Sequence, residues 1–281
     1  MTDDPIGPLD FVVIGAMKAG TTWIDSVLRQ CTNADLPRTK ETFFFDTHFD
    51  LGIAWHARHW QSSRGSSLPH GEVASTYYAS PPAAKRLAVL YPDAKIVLCV
   101  RNPVDRSFSH FRHLKRKGIL SSRAKFADGY KRQPEIVFWS DYRTLLQPWS
   151  ESFPNVVVLP FEQIKSDAAA FIDELARHTG VSVRQAQPVP RSNEAKEPRS
   201  QGLSRAASAT SEWLHHRGLS AAVELIKKSP IPRMIERHPT RAESDAEDMR
   251  ACKDIVLGQL DDSIDLFRSQ HPSIAAYWDL P

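Results

Sequence analysis

Apolar positions along the chain alternate between two patterns. Residues 11–14, FVVI, form a continuous apolar run ending at Gly15, the signature of a strand buried on both faces. Trp23, Ile24, Val27 and Leu28 then recur at helical spacing and give the next segment one apolar stripe. The pair returns in AKIVLCVRNPVDRSFSHF, residues 94–111. There Ile96 to Val100 predict a strand, Pro103 suits the first turn of a helix, and Val104, Phe108 and Phe111 mark the helix's buried face. NVVVLPFEQI, residues 155–164, predicts a further strand. SDAAAFIDELARHTG, residues 166–180, predicts a helix with a Ser/Asp start, a Phe171, Ile172 and Leu175 stripe, and a terminating glycine. Repeated strand and helix units imply an α/β fold, a mostly parallel central sheet with helices on both faces.

Between these units the pattern weakens. KRKGILSSRAKFADGYKRQPE, residues 115–135, is basic and broken by Gly, Ser and Pro, and reads equally as a lid or a solvated connection. QAQPVPRSNEAKEPRSQG, residues 185–202, reads as a long loop. Beyond it, SAAVELIKK and CKDIVLGQLDDSIDLF have helical spacing. The expected organisation is one domain over 1–281, with an α/β core over about 10–200 and a helical part over about 201–281.

Composition narrows the classes. The chain is 41% hydrophobic, enough for a large core. Its net charge of +3 arises from 36 basic and 33 acidic residues, so it is not a strongly basic nucleic-acid binder. The basic run HFRHLKRKG lacks interleaved exposed aromatics, so no nucleic-acid partner is expected. Cys31, Cys99 and Cys252 lack metal spacing and suit reduced thiols. MTDDPIGPLD has neither the basic region nor the apolar run of an export signal, and no stretch approaches the roughly 18 apolar residues of a membrane span. A cytoplasmic protein without membrane insertion is expected.

The candidate chemistry begins at GAMKAGTT, residues 15–22. Gly15 and Gly20 have the separation of the glycines in a nucleotide-binding P-loop, and Thr22 takes the hydroxyl position. Thr21 stands where that loop carries lysine, and the lysine is Lys18 instead. Glycines admit an anion to the backbone, and amides at the helix start meet its charge favourably. A lysine inside the loop suits a single compact anion, in a donor without a γ-phosphate. A second anion site is suggested by Arg101, at the carboxyl end of a predicted strand. Ser109 shares a helix face with Asp105 and Arg112, away from the apolar stripe, so arginine and serine together can hold a phosphate. The plainer reading pairs Arg101 with Asp105.

KAGTTW resembles the phosphosulfate-binding loop of sulfotransferases that use 3'-phosphoadenosine 5'-phosphosulfate, and CVRNPVDRSFSHF is similar to their 3'-phosphate-binding segment. The resemblance implies a P-loop-like sulfotransferase fold. It assigns Lys18, Ala19, Gly20, Thr21 and Thr22 to the phosphosulfate, Arg101 and Ser109 to the 3'-phosphate, and Trp23 to adenine, although Trp23 also fits the helix's apolar stripe. NEAKEPRS resembles a basic loop that closes over the nucleotide, adding Lys196 and Arg199. KETFFFD, residues 40–46, resembles a segment of heparan sulfate and related carbohydrate sulfotransferases whose glutamate is the catalytic base, which corresponds to Glu41.

A strand over Thr42 to Phe45 would send the aromatics into the core and leave Glu41 and Asp46 at its ends. The same resemblance makes Lys40 and Asp46 candidates to contact the acceptor or order the site, and Tyr77 a candidate for acceptor contact. In EVASTYY, however, Val73 and Ser75 replace a lysine and a proline of the family pattern, which weakens that assignment for this segment. Cytosolic sulfotransferases use a histidine base, but none of His48, His56, His59 and His110 shares their motif, and His48 is the reserve. The implied reaction is in-line sulfuryl transfer to a hydroxyl of a carbohydrate or small-molecule alcohol, with Glu41 as base, Lys18 stabilising the leaving group, and no metal. A P-loop kinase or ATPase and a non-catalytic adenosine-bisphosphate-binding module are the alternatives. Oligomeric state is left open.

Overall fold

A computed structural model describes residues 9–60, 67–184, 197–198, 236–237 and 242–280. Four parallel strands form the central sheet, in the order β2, β1, β3, β4. They are β1 (Phe11–Gly15), β2 (Gly71–Val73), β3 (Lys95–Val100) and β4 (Val156–Pro160). β1 is buried along its whole length, as its unbroken apolar run requires. β2 is the strand that the apolar pattern does not reveal. It has three residues, and the central one is Glu72.

The described residues divide into two compact units. The first comprises residues 1–102, 142–192 and 263–281 and contains the sheet. α1 (Thr21–Cys31) follows β1 and buries Trp23, Ile24, Val27 and Leu28, the stripe expected from sequence. After it come a short helix α2 (Ile53–Ala57) and, past β2, α3 (Pro81–Leu90). Further along this unit, α7 (Tyr142–Ser152) precedes β4, and α8 (Gln163–Ser166) and α9 (Ala168–Thr179) follow it. α9 is capped as its sequence predicts, by the Asp167 side chain accepting from the Ala170 amide and by Gly180 in left-handed conformation. Between Val13 and Gly15 the β1–β3 register slips by one residue, a bulge placed just before the glycine loop.

The second unit comprises residues 103–141 and 193–262. It contains α4 (Pro103–Arg116), α5 (Phe126–Arg132) and α6 (Glu135–Phe138), the short strands β5 (Glu197–Pro198) and β6 (Glu236–Arg237), and α10 (Ala242–Gln270) as far as Asp262. The segment 115–135 is more than a solvated connection: Leu120 and Phe126 are buried, and Phe126 meets Phe111 edge-on. α4 buries the expected Val104, Phe108 and Phe111, and also a polar set. Arg106 is fully buried and donates to Ser140 Oγ at 2.5 Å and to the Ile136 carbonyl, while His110 stacks on Trp139. In α10, Cys252, Val256 and Leu260 are buried at four-residue spacing, as the helical pattern predicts. Burial pushes the Cys252 thiol well up, so it stays protonated and serves packing.

Candidate active site

The loop between β1 and α1 is built by its backbone. Gly20 precedes α1 with φ 86°, and Lys18 also adopts a left-handed conformation at φ 75°. A Cβ at Gly20 would approach the Phe161 ring to 2.8 Å, so both conformation and space require glycine there. The Ala16 amide bonds to the Cys99 carbonyl of β3 at 2.7 Å, and the Ala19 amide returns to Ala16 at 3.0 Å. α1 has no side-chain cap, and the Trp23 amide turns back to the Gly20 carbonyl at 2.9 Å, so the helix start ahead of it is where an anion would add acceptors.

Arg101 reaches this loop from the end of β3. Its Nη1 donates to the Lys18 carbonyl at 3.4 Å, and its guanidinium lies 4.9 Å from the centre of the Phe161 ring. The Tyr142 hydroxyl holds the Arg101 backbone on both sides, accepting from its amide at 3.1 Å and donating to its carbonyl at 2.8 Å. Tyr142 itself packs on Phe267 and Trp278. Beside Arg101, Glu162 accepts from the Asn102 amide, and burial raises its carboxyl above the ordinary range despite that bond and the arginine's charge.

The KETFFFD segment arrives on the other side of the helix start. Lys40 Nζ lies 2.6 Å from Glu41 Oε1 and 3.3 Å from Thr21 Oγ1, so one ammonium spans the carboxylate and the loop's first helical hydroxyl. Lys40 and Glu41 are each about one-fifth exposed. Lys18, Gly20, Thr21, Arg101, Lys40 and Glu41 therefore meet at the carboxyl ends of β1 and β3, the edge at which such sheets bind ligands.

A family model described as sulfotransferase domain matches residues 8–216, which span this whole arrangement. The chain belongs to the sulfotransferase family. Membrane-associated sulfotransferase kil1 of Dictyostelium discoideum is 35% identical over 104 residues, covering 36% of this chain and 22% of that protein. Mouse heparan sulfate glucosamine 3-O-sulfotransferase 6 is 27% identical over 180 residues, covering 60% of this chain and 52% of that one. Mouse bifunctional heparan sulfate N-deacetylase/N-sulfotransferase 4 is 27% identical over 195 residues, 61% of this chain and 22% of that one. The matched parts thus span between about a fifth and about half of these relatives. The crystal structure of a sulfotransferase from Alicyclobacillus acidocaldarius shares the fold, with TM-score 0.55 and 24% identity over 78% of this chain and 97% of that one. Among the described residues, no helix is long and apolar enough to cross a membrane.

Other expected site residues of this sulfotransferase domain fall differently. Thr22 is exposed and Ala19 buried at the loop. Trp23 is 8% exposed and meets Phe171 edge-on at 5.8 Å, so its ring serves the apolar stripe of α1. Ser109 lies in the second unit, half-buried on the α4 face of Asp105 and Arg112, as the helical spacing requires. Lys196 and Arg199 lie outside the described residues. His48 is buried 5.2 Å from the Trp55 ring.

Two sequence expectations require correction. Thr42 to Phe45 is not a strand: Phe43 has φ 54°, and Phe44–His48 form a π-helical turn in which the Thr47 and His48 amides return to the Phe43 carbonyl. Within this turn the adjacent Phe44 and Phe45 are both fully buried. Tyr77 is not an acceptor contact. It is fully buried, and its hydroxyl donates to Glu72 Oε1 at 2.8 Å.

Around Glu72 lies the polar cluster that sequence reasoning missed. This carboxylate is fully buried, and its Oε1 also accepts from Thr42 Oγ1 at 2.5 Å. Oε2 accepts from His56 Nε2 at 3.1 Å, and the His56 ring stacks on Phe44 at 4.3 Å. Burial alone would raise the Glu72 carboxyl. The bonds from His56, Thr42 and Tyr77, with the charge His56 can carry, outweigh burial and hold it below the usual value. Asp46, bonded by Thr76 Oγ1 at 2.6 Å, is shifted the other way, its burial exceeding the effect of that bond. The one sequence signal for the cluster was an acid standing alone inside an otherwise apolar strand.

Proposed function

We propose that this domain transfers a sulfuryl group from 3'-phosphoadenosine 5'-phosphosulfate to an acceptor hydroxyl. The observation that carries the reading is Lys40, whose ammonium joins Glu41 to Thr21 and so places a carboxylate one side chain from an anion-binding helix start. Such a carboxylate is where a base is needed when the acceptor lies behind sulfur. The cations Lys18, Lys40 and Arg101 and the uncapped amides of α1 fit a donor with two separate anionic groups.

In this reading Glu41 accepts the acceptor's proton as its oxygen bonds to sulfur. The bond from sulfur to the bridging oxygen breaks, and 3',5'-adenosine bisphosphate leaves, its new phosphate charge met by Lys18 and the loop amides. Arg101 holds the 3'-phosphate. The curated relatives' names and the resemblance of KETFFFD both point to a carbohydrate hydroxyl, such as that of a glucosamine-containing glycan, as the acceptor class, and a small-molecule alcohol is the alternative class. The loop alone also resembles a kinase site, but the β3 end supplies Arg101 where a magnesium-binding acid would stand.

Calorimetric titration with 3',5'-adenosine bisphosphate and with magnesium ATP tests the donor. Bisphosphate binding that Arg101→Ala weakens about tenfold or more, with ATP the poorer ligand, is the expected result. Preference for magnesium ATP would overturn it. Bisphosphate binding without any sulfuryl transfer would identify a non-catalytic binding module.

A further inference from the structure

The cluster beneath the base segment does more than fill space. Thr42 follows Glu41 directly, and its hydroxyl is tied to Glu72. The Phe44 amide donates to both Thr42 Oγ1, at 3.2 Å, and Tyr77 OH, at 3.0 Å. The Phe45 amide donates to the same Tyr77 oxygen at 3.4 Å. Both hydroxyls spend their hydrogens on Glu72 and their lone pairs on the backbone. One buried carboxylate therefore organises two relays that grip residues 42, 44 and 45. Phe43, between the gripped residues, is in left-handed conformation. Apolar packing of Phe44 and Phe45 against His56 and Tyr77 supplies contact without direction. The hydrogen bonds supply direction, and bonds to a charged acceptor are the shorter and stronger kind.

We infer that Glu72, acting through Thr42 and Tyr77, is the positioning residue for Glu41. This rests on the reading of Glu41 as the base. No contact between Glu72 and substrate is required, because the lever is a single peptide unit long. A loss of grip at Thr42 moves the Glu41 carboxylate relative to the loop that Lys40 ties it to. Misplacement of a catalytic group by about 1 Å costs on the order of a hundredfold in rate.

The test uses the full chain with 3'-phosphoadenosine 5'-phosphosulfate as donor. Turnover is read as sulfate release to water and as transfer to an unsulfated glucosamine-containing oligosaccharide. Thr42→Val and Tyr77→Phe should each lower kcat about tenfold or more, with the dissociation constant for 3',5'-adenosine bisphosphate within about twofold of wild type. In a Glu41→Gln background each should cost less than about a further twofold, because both act through the same carboxylate. Glu72→Gln keeps an oxygen facing both hydroxyls and should retain more turnover than either. Wild-type turnover in both relay variants, with Glu41→Gln inactive, would overturn the inference and leave the base reading standing. So would full additional losses in the Glu41→Gln background, or parallel loss of bisphosphate binding, or failure of both variants to fold, each of which marks a scaffold role. Undiminished turnover in Glu41→Gln itself would instead overturn the base reading.

Discussion

The glycine loop and the KETFFFD segment, the proposed donor and base sides, meet at Thr21 and Lys40, yet they are held in opposite ways. Residues 15–22 take their shape from the main chain: left-handed turns at Lys18 and Gly20, amide bonds to β3, and the Arg101 bond to a backbone carbonyl. Residues 40–46 take theirs from side chains, through Thr42, Tyr77 and a buried glutamate. A site recognising fixed anions benefits from backbone donors, which cannot rotate away. A base that must be aimed at a hydroxyl requires directional tethers behind it. Damage to the first region should therefore appear as lost donor affinity, and damage to the second as lost turnover.

Gly20→Ala should break the comparison hardest on the donor side. A left-handed alanine costs roughly 1–2 kcal/mol, and its Cβ would also press on the ring that carries Arg101. Bisphosphate affinity should fall about 10- to 100-fold by calorimetry.

On the base side, Glu72→Gln should cost about 1–2 kcal/mol at neutral pH, read from chemical denaturation, because bonds to a charge become bonds to a neutral amide. The sign of its pH dependence is fixed by the lowered Glu72 value. That stabilisation is present above the unfolded value near 4.5 and is lost as pH falls through the folded one. Asp46, raised from 3.8, contributes oppositely: its share is full below 3.8 and lost as pH rises through its folded value. Wild type and Glu72→Gln should thus converge on acidification, and a constant gap between pH 7 and 3 would contradict the ionised assignment.

The smallest effect is expected at the junction. Lys40→Met removes a part-exposed pair and should change stability by less than about 1 kcal/mol. Bisphosphate affinity should drop only a few-fold, while turnover drops more.

What was legible in the sequence followed what kind of force does the holding. FVVI and KIVLCV announce themselves because strands buried on both faces favour unbroken apolar runs, VVVLP because its β-branched run has the same look at half-burial, and Gly20 and Gly180 because left-handed turns exclude most side chains. Glu41 enters as a candidate base by resemblance alone, since nothing in Lys-Glu spacing separates a base from a surface pair. The strand expected over Thr42 to Phe45 failed because four consecutive residues fit a period of two as easily as a tight turn. Tyr77 was misassigned for a related reason. A tyrosine whose hydroxyl is satisfied by a buried acid looks identical, in one dimension, to one facing substrate. Arg106 and His110 were equally silent, being polar residues whose partners Ile136, Trp139 and Ser140 lie about thirty residues away.

α5 carries a consequence of another kind. Its first amide, at Phe126, is received by Asp248 on α10 at 2.9 Å, and Lys125 meets Glu247 at 2.6 Å. A helix of seven residues is too short to persist alone in water. On the ribosome, then, α5 emerges and waits while another 122 residues are made before its partner exists. The second unit therefore completes itself only once the stretch of α10 up to Asp262 has been synthesised.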